Sequence, residues 1–294
     1  MKIAVFTGFY SSGNLNIIRE IHHYLTQKGH EVWLIKNLEN PLDKDSKSFN
    51  FYDPQPFLDS DFDFLLTIGG DGNLLDSVTI VGDSKVPVLG INTGRLGFLT
   101  SIGKENYHNG LDDLLEKKYS IIERTALKVD IDDSKHSKIQ NLNFALNEVC
   151  VTRKNKLSLL QIEAKINQEK LTTYWGDGLI ISTPTGSTAY SLSVDGPIVS
   201  PDNSCWVLNP IAPHNISVRP LIVPDSNEIE LLVTGRGKNH LLSLDSRTIS
   251  LEYGNRILIQ KAPFPIHTIQ LNGDSYFSTL RKKLHWGIDT RNHE

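Results

Sequence analysis

The apolar positions change their period along the chain. Residues 2–8 form a short, nearly continuous apolar run closing on glycine, the pattern of a buried strand. Ile17, Ile18, Ile21, Tyr24 and Leu25 then recur at helical spacing, with Gly29 as the stop. Residues 30–36 are strand-like again, 38–60 are polar and predict a loop, and 62–68 form a third strand running into Gly69-Gly70-Asp71-Gly72. A helix is predicted from Asn73 to Val81 and a fourth strand over 86–91. Strands and helices in this alternation predict a parallel sheet with crossover helices.

Beyond about residue 120 the texture differs. Segments 125–132, 143–151, 159–166, 228–234, 240–245 and 256–262 are short, often alternating, and separated by Gly, Asn, Asp and Pro. They predict a largely antiparallel β domain. Residues 275–287 return to helical spacing, with Tyr276, Leu280 and Leu284 on one face and Gly287 at the end. The expected class is therefore α/β plus β in two domains: 1–120 together with a C-terminal helix at 275–294, and a β-rich domain at 121–274.

Composition narrows the function classes. Of 294 residues, 39% are hydrophobic and 22% charged, which fits a folded globular chain. Thirty Lys and Arg against 34 Asp and Glu leave a net charge of −4, which argues against a nucleic-acid coat or a polybasic membrane anchor. No stretch approaches the roughly 18 apolar residues of a spanning helix. The opening apolar run is too short for a secretory signal, so the cytoplasm is the expected address. Two cysteines, Cys150 and Cys205, cannot build a disulfide framework and are expected to be buried free thiols.

Three segments hold candidate chemistry. In Gly69-Gly70-Asp71-Gly72-Asn73, glycines after an apolar strand let backbone N–H groups approach a phosphate at a helix N-terminus. An acid inside an anion cradle makes sense if it must touch a hydroxyl, accept its proton or hold a metal ion; the plain alternative is an ordinary Gly/Asp turn. Between Thr183 and Ser193, six of eleven residues are Ser or Thr, a density suited to a polar ligand such as a nucleotide, with Tyr190 able to stack on a base. Asn147-Glu148 interrupts an apolar strand, which requires either structural partners or a ligand's hydroxyls. Arg95 could meet a phosphate. There is no GxxxxGK[ST], no GxGxxG, no HExxH and no GxSxG, so P-loop, dinucleotide-reducing, zinc-protease and serine-hydrolase chemistry find no support.

In their order and separation, GGDGN, NTGRLGFL, NE and GDGLIISTPTGSTAYSLS, with YFSTLRKKLHWG at the end, resemble the bacterial NAD kinases. The likeness runs from Gly69 to the C-terminus, and the Ser/Thr segment is its most specific part, since GGDG is shared with lipid kinases and phosphofructokinases. The resemblance implies a Rossmann-like first domain, a β-sandwich-like second domain, and a final helix returning to the first. It implies phosphoryl transfer from ATP, with Mg²⁺ carried on the nucleotide, to the 2′-hydroxyl of the adenosine ribose of NAD, by a homo-oligomer, dimer or tetramer, that binds neither nucleic acid nor membrane. Asp71 takes the catalytic place, and Gly69, Gly70, Gly72 and Asn73 the phosphates. Substrate contacts map onto Asp71, Gly72, Asn147, Glu148, Asp177, Thr188, Ala189, Tyr190, Ser191, Leu192, Ser193, Ala212 and Arg247. Asp76 and Ser158 depart from the family pattern. Two rivals stand beside it: a lipid or sugar kinase, which would need an apolar mouth or a second anion clamp, and a non-catalytic NAD sensor, which would not need the acid.

Overall fold

The computed structural model describes residues 1–8, 12–36, 49–54, 57–94, 97–132, 142–154 and 159–287. The chain divides into two units: Met1–Glu123 with the segment from His267 onward, and Arg124–Ile266.

The first unit is built on one sheet. In spatial order its strands are Asn50–Tyr52, Glu31–Ile35, Lys2–Phe6, Phe64–Ile68, Val88–Asn92, Ile266–Leu271 and Tyr119–Arg124, with Ile102–Gly103 also pairing with Val88–Asn92. The pairings from Asn50–Tyr52 through to Ile266–Leu271 are parallel. Phe64–Ile68 and Val88–Asn92 are buried at every position, as strands covered on both faces must be. Ile17, Ile18, Ile21 and Leu25 of the helix Ser12–Gln27 pack with Ile3, Val5, Leu66 and Leu89 of the sheet.

Three differences from the sequence pattern appear here. Asn50–Tyr52, inside the predicted loop, is an edge strand on Glu31–Ile35, too short to show a period; residues 37–48 of that loop lie outside the described residues. Ile266–Leu271 returns to the first sheet ahead of the closing helix, so the chain re-enters the first unit at His267 rather than at 275. The closing helix, Tyr276–Leu284, stops before Gly287 because His285 takes a left-handed conformation (φ 51°) and its N–H bonds the Arg281 carbonyl.

The second unit holds two six-stranded antiparallel sheets. One runs Leu221–Pro224, Cys205–Ile211, Gly178–Ser182, Glu148–Arg153, Asn239–Leu244, Arg247–Glu252. The other runs Glu169–Gly176, Leu160–Ile166, Ile229–Gly235, Arg256–Lys261, Leu127–Ile131, Phe144–Ala145. Their inner faces share one core, in which Val149, Val151, Leu179, Ile181 and Trp206 meet Val129, Ile162, Leu231 and Ile257, the arrangement of a β-sandwich. Side chains alternate along a strand, so this inward set leaves Glu148, Cys150, Ile180, Ser182 and Asn209 on the opposite face of the first sheet. Cys150 and Cys205 are free and buried. No helix among the described residues is long and apolar enough to cross a membrane.

Candidate active site

In the first unit the strand Phe64–Ile68 ends in a glycine turn that starts the helix Asp71–Val81, with Gly70 as its N-cap. Gly69 has a positive φ of 150°, and a Cβ there would lie 1.6 Å from Asn73 Nδ2. Gly70 and Gly72 differ: a Cβ on either would meet nothing within 4 Å, so the space beside them is open. The Asn73 side chain ties two strand ends together, donating to the Ile68 carbonyl (2.8 Å) and accepting from the Gly8 N–H (3.3 Å). Asp76 lies on the same helix, its Oδ2 3.2 Å from where a Gly8 Cβ would stand.

Asp71 sits in the first helical turn, where a carboxylate complements the helix dipole. Its Oδ1 accepts from the N–H groups of Leu99 (3.2 Å) and Thr100 (3.1 Å) and from the Thr100 hydroxyl (3.1 Å). Its Oδ2 accepts from Phe98 N–H (2.7 Å). Among the described residues, then, Oδ1 is saturated, while Oδ2 has one bond and room for another donor. Thr100 is itself held by the Asn92 amide at 2.9 Å. The NTGRLGFL segment thus serves Asp71 through backbone amides, which the side-chain pattern did not signal; Arg95 lies outside the described residues.

In the second unit, Asn147 precedes and Glu148 opens the strand Glu148–Arg153, and both are buried, 5% and 9% exposed. Asn147 Oδ1 and Glu148 Oε2 are buried with no hydrogen-bond partner among the described residues, which is uncommon for such atoms. Burial, then the Asp245 carboxylate, pushes the Glu148 carboxyl up to about 8. Burial, then Glu148, pushes the Cys150 thiol up to about 12. The Tyr190 phenol is raised by burial first and then by Cys150, Asp177 and Glu148, which places these four groups within electrostatic reach of one another. Tyr190 remains 41% exposed at the start of the short helix Tyr190–Ser193.

The hydroxyl-rich segment is tied to the backbone around it. Several of its hydroxyls donate to nearby carbonyls: Ser182 bonds Thr183 O (2.9 Å), Thr183 bonds Leu146 O (2.7 Å), Ser187 bonds Pro184 O (2.7 Å) and Thr188 bonds Thr185 O (3.2 Å). Ser191 is buried, its hydroxyl and carbonyl both accepting from Asn209 Nδ2 (3.2 and 2.9 Å). The density of Ser and Thr builds a tight turn, and Gly186 lets it pack so closely that a Cβ would lie 2.1 Å from the Asn147 carbonyl. Ala189, Leu192 and Ser193 are at least partly exposed around it.

Asp177 pairs with Arg153 at 2.9 Å. Ala212 is exposed and left-handed (φ 42°), beyond the end of the strand Cys205–Ile211. Arg247 donates to the Leu142 and Phe144 carbonyls, bracing the chain just before Asn147. Ser158 lies outside the described residues.

Two family models match: the ATP-NAD kinase N-terminal domain over residues 10–119 and the ATP-NAD kinase C-terminal domain over 146–271. The chain belongs to the NAD kinase family. Within the family it is 46% identical to the NAD kinase of Flavobacterium psychrophilum and 43% identical to that of Christiangramia forsetii, in both cases over 99% of this chain and all of the relative. A solved NAD kinase from Archaeoglobus fulgidus in complex with ATP matches with a TM-score of 0.76 at 25% identity, over 97% of this chain and 99% of that one. Yeast NADH kinase complexed with NADH shares the fold at a TM-score of 0.84 and 22% identity, over all of this chain and 90% of that one.

Sequence reasoning missed one residue that the geometry brings forward. Asp245, in the turn between Asn239–Leu244 and Arg247–Glu252, accepts from the N–H groups of Leu146 (2.8 Å), Asn147 (2.8 Å) and Glu148 (3.2 Å). Its neighbour Arg247 was singled out from the same LDSR segment, but nothing local marks a turn carboxylate as buried.

Proposed function

We propose that this chain transfers the γ-phosphoryl group of ATP to the 2′-hydroxyl of the adenosine ribose of NAD, giving NADP and ADP, with Asp71 as general base. The observation that supports it best is the Asp71 carboxylate, fixed through Oδ1 and retaining acceptor capacity on Oδ2. As the ribose oxygen bonds to the γ-phosphorus and the bond to the ADP oxygen breaks, Oδ2 takes the hydroxyl proton. Help of this kind is typically worth about 10²–10⁴ in rate.

The open space beside Gly70 and Gly72 admits phosphate oxygens to the amides at the helix N-terminus. Among the described residues no group of three or more His, Cys, Asp or Glu side chains could hold a metal ion. Mg²⁺ would arrive as part of the nucleotide substrate, where it would offset charge on the phosphates. In the second unit, Asn147 Oδ1 accepts from the dinucleotide, Glu148 Oε2 accepts from it or, when protonated, donates to it, and Tyr190 offers an exposed ring for stacking. Thr188, Ala189, Leu192, Ser193, Asp177 and Ala212 complete the substrate contacts, while Ser191 and Arg247 support them from behind. The protein works in the cytoplasm as a homo-oligomer.

The test is incubation of the purified protein with NAD, ATP and Mg²⁺, with NADP read by an NADP-specific dehydrogenase. NADP formation is expected. A folded protein that binds NAD and forms no NADP would instead be a sensor.

A further inference from the structure

Asp245 has no place in the chemistry above, yet its side chain is only 2% exposed although it sits in a hairpin turn, where side chains ordinarily face water. Its backbone is left-handed (φ 50°), a conformation that hairpin turns of this kind require and that Asp tolerates better than most residues. The carboxylate is turned inward onto three consecutive amides, those of Leu146, Asn147 and Glu148. Asp245 N–H donates back to the Glu148 carbonyl at 3.0 Å.

We propose that Asp245 is a positioning residue for dinucleotide recognition: by gathering the amides of 146–148 it sets where Asn147 Oδ1 and Glu148 Oε2 stand, and those two oxygens are the ones NAD engages. The proposal rests on the reading of the chain as an NAD kinase.

Two further features support it. Arg247 lies 3.8 Å from Asp245 and bonds the carbonyls of Leu142 and Phe144, so the same hairpin grips residues 142–148 by both donors and acceptors. From the other side, Thr183 N–H donates to the Asn147 carbonyl (2.9 Å) and the Thr183 hydroxyl to the Leu146 carbonyl (2.7 Å). With its backbone held from two sides, the pair still leaves two buried oxygens without partners among the described residues. A rigid segment presenting unsatisfied polar atoms is built to bind, because the ligand then meets groups already in place.

The experiment is Asp245→Asn in the full chain, which keeps the size but sets an NH₂ group against the Leu146 N–H and Arg247. NADP formation gives kcat and KM for each substrate, and calorimetry without ATP gives Kd for NAD. The expected result is a rise of about 10-fold or more in NAD KM and Kd, with the ATP KM within about 2-fold of wild type. Combined with Glu148→Gln, the two effects should be strongly less than additive, since the first acts through the second. An unchanged NAD Kd in a folded variant, or additive effects, would overturn the proposal. If Asp245→Asn does not fold, Asp245→Ser, which retains an oxygen acceptor, is measured in the same way. Failure of both to fold would also overturn it, because Asp245 would then serve the whole sandwich. A wild type that neither binds NAD nor forms NADP overturns the functional reading beneath it; a normal wild type with a normal variant overturns the role of Asp245 alone.

Discussion

Gly97 and Asp71 approach so closely that a Cβ at position 97 would lie 1.7 Å from Asp71 Oδ1 and 2.2 Å from its Cγ. Only a residue without a side chain lets the 98–100 amides close over the carboxylate. Gly97→Ala must therefore move either the loop or the acid. The expected outcome is a loss of at least about 10-fold in kcat, since a general base displaced from its hydroxyl loses most of its contribution. Steady-state NADP formation, with circular dichroism to show that the fold persists, checks it.

Glu148 gives a pH signature. Its carboxyl ordinarily titrates at 4.5 and is pushed up to about 8 by burial and Asp245, with Cys150 and Tyr190 the other titratable groups in reach. A raised carboxyl pKa means that the folded chain keeps a proton that the unfolded chain releases between those values. This group's effect on stability is therefore unfavourable as pH rises from 4.5 to 8. Glu148→Gln should remove that slope, so that its stability gain over wild type grows with pH across the window. Urea unfolding at pH 5, 7 and 8.5 measures it; an equal difference at all three would contradict the assignment.

His240 acts in the opposite direction. It is fully buried, stacked on Tyr253 with ring centroids 5.6 Å apart, and neither ring nitrogen has a hydrogen-bond partner among the described residues. Burial pushes its pKa from 6.5 down to about 4. The unfolded chain takes up a proton between those values that the folded chain refuses, so the second unit loses stability as pH falls from 6.5 to 4. His240→Leu should reduce this loss and raise Tm at pH 5 more than at pH 7.5. A calorimetric pH series gives the comparison.

What the sequence showed and what it hid follow from the range of the interactions. Asp71 stood out because three glycines surround an acid directly after an apolar strand, a wholly local signal. Its partners at Phe98, Leu99 and Thr100 lie 27 to 29 residues away and, the Thr100 hydroxyl apart, act through backbone amides, which have no side-chain signature. Asp245 reaches Leu146 across 99 residues. The Ser/Thr segment was legible as a hydroxyl-rich turn, but not the bonds by which Ser182, Ser187 and Thr188 hold carbonyls one to three residues away. Among the strands, Phe64–Ile68 was legible as a continuous apolar run. Tyr119–Arg124 was not, being largely exposed and without a clean alternation, and Cys205–Ile211, buried throughout, contains an Asn and a Pro that mask it.

The central claim is that Asp71 accepts the ribose proton, and Asp71→Asn tests it most directly. The amide keeps the size and one acceptor oxygen but has no basic carboxylate. NADP formation at saturating NAD and MgATP should fall by at least about 100-fold while calorimetric NAD affinity stays within about 3-fold of wild type. Turnover close to wild type in a folded Asp71→Asn protein would contradict the account.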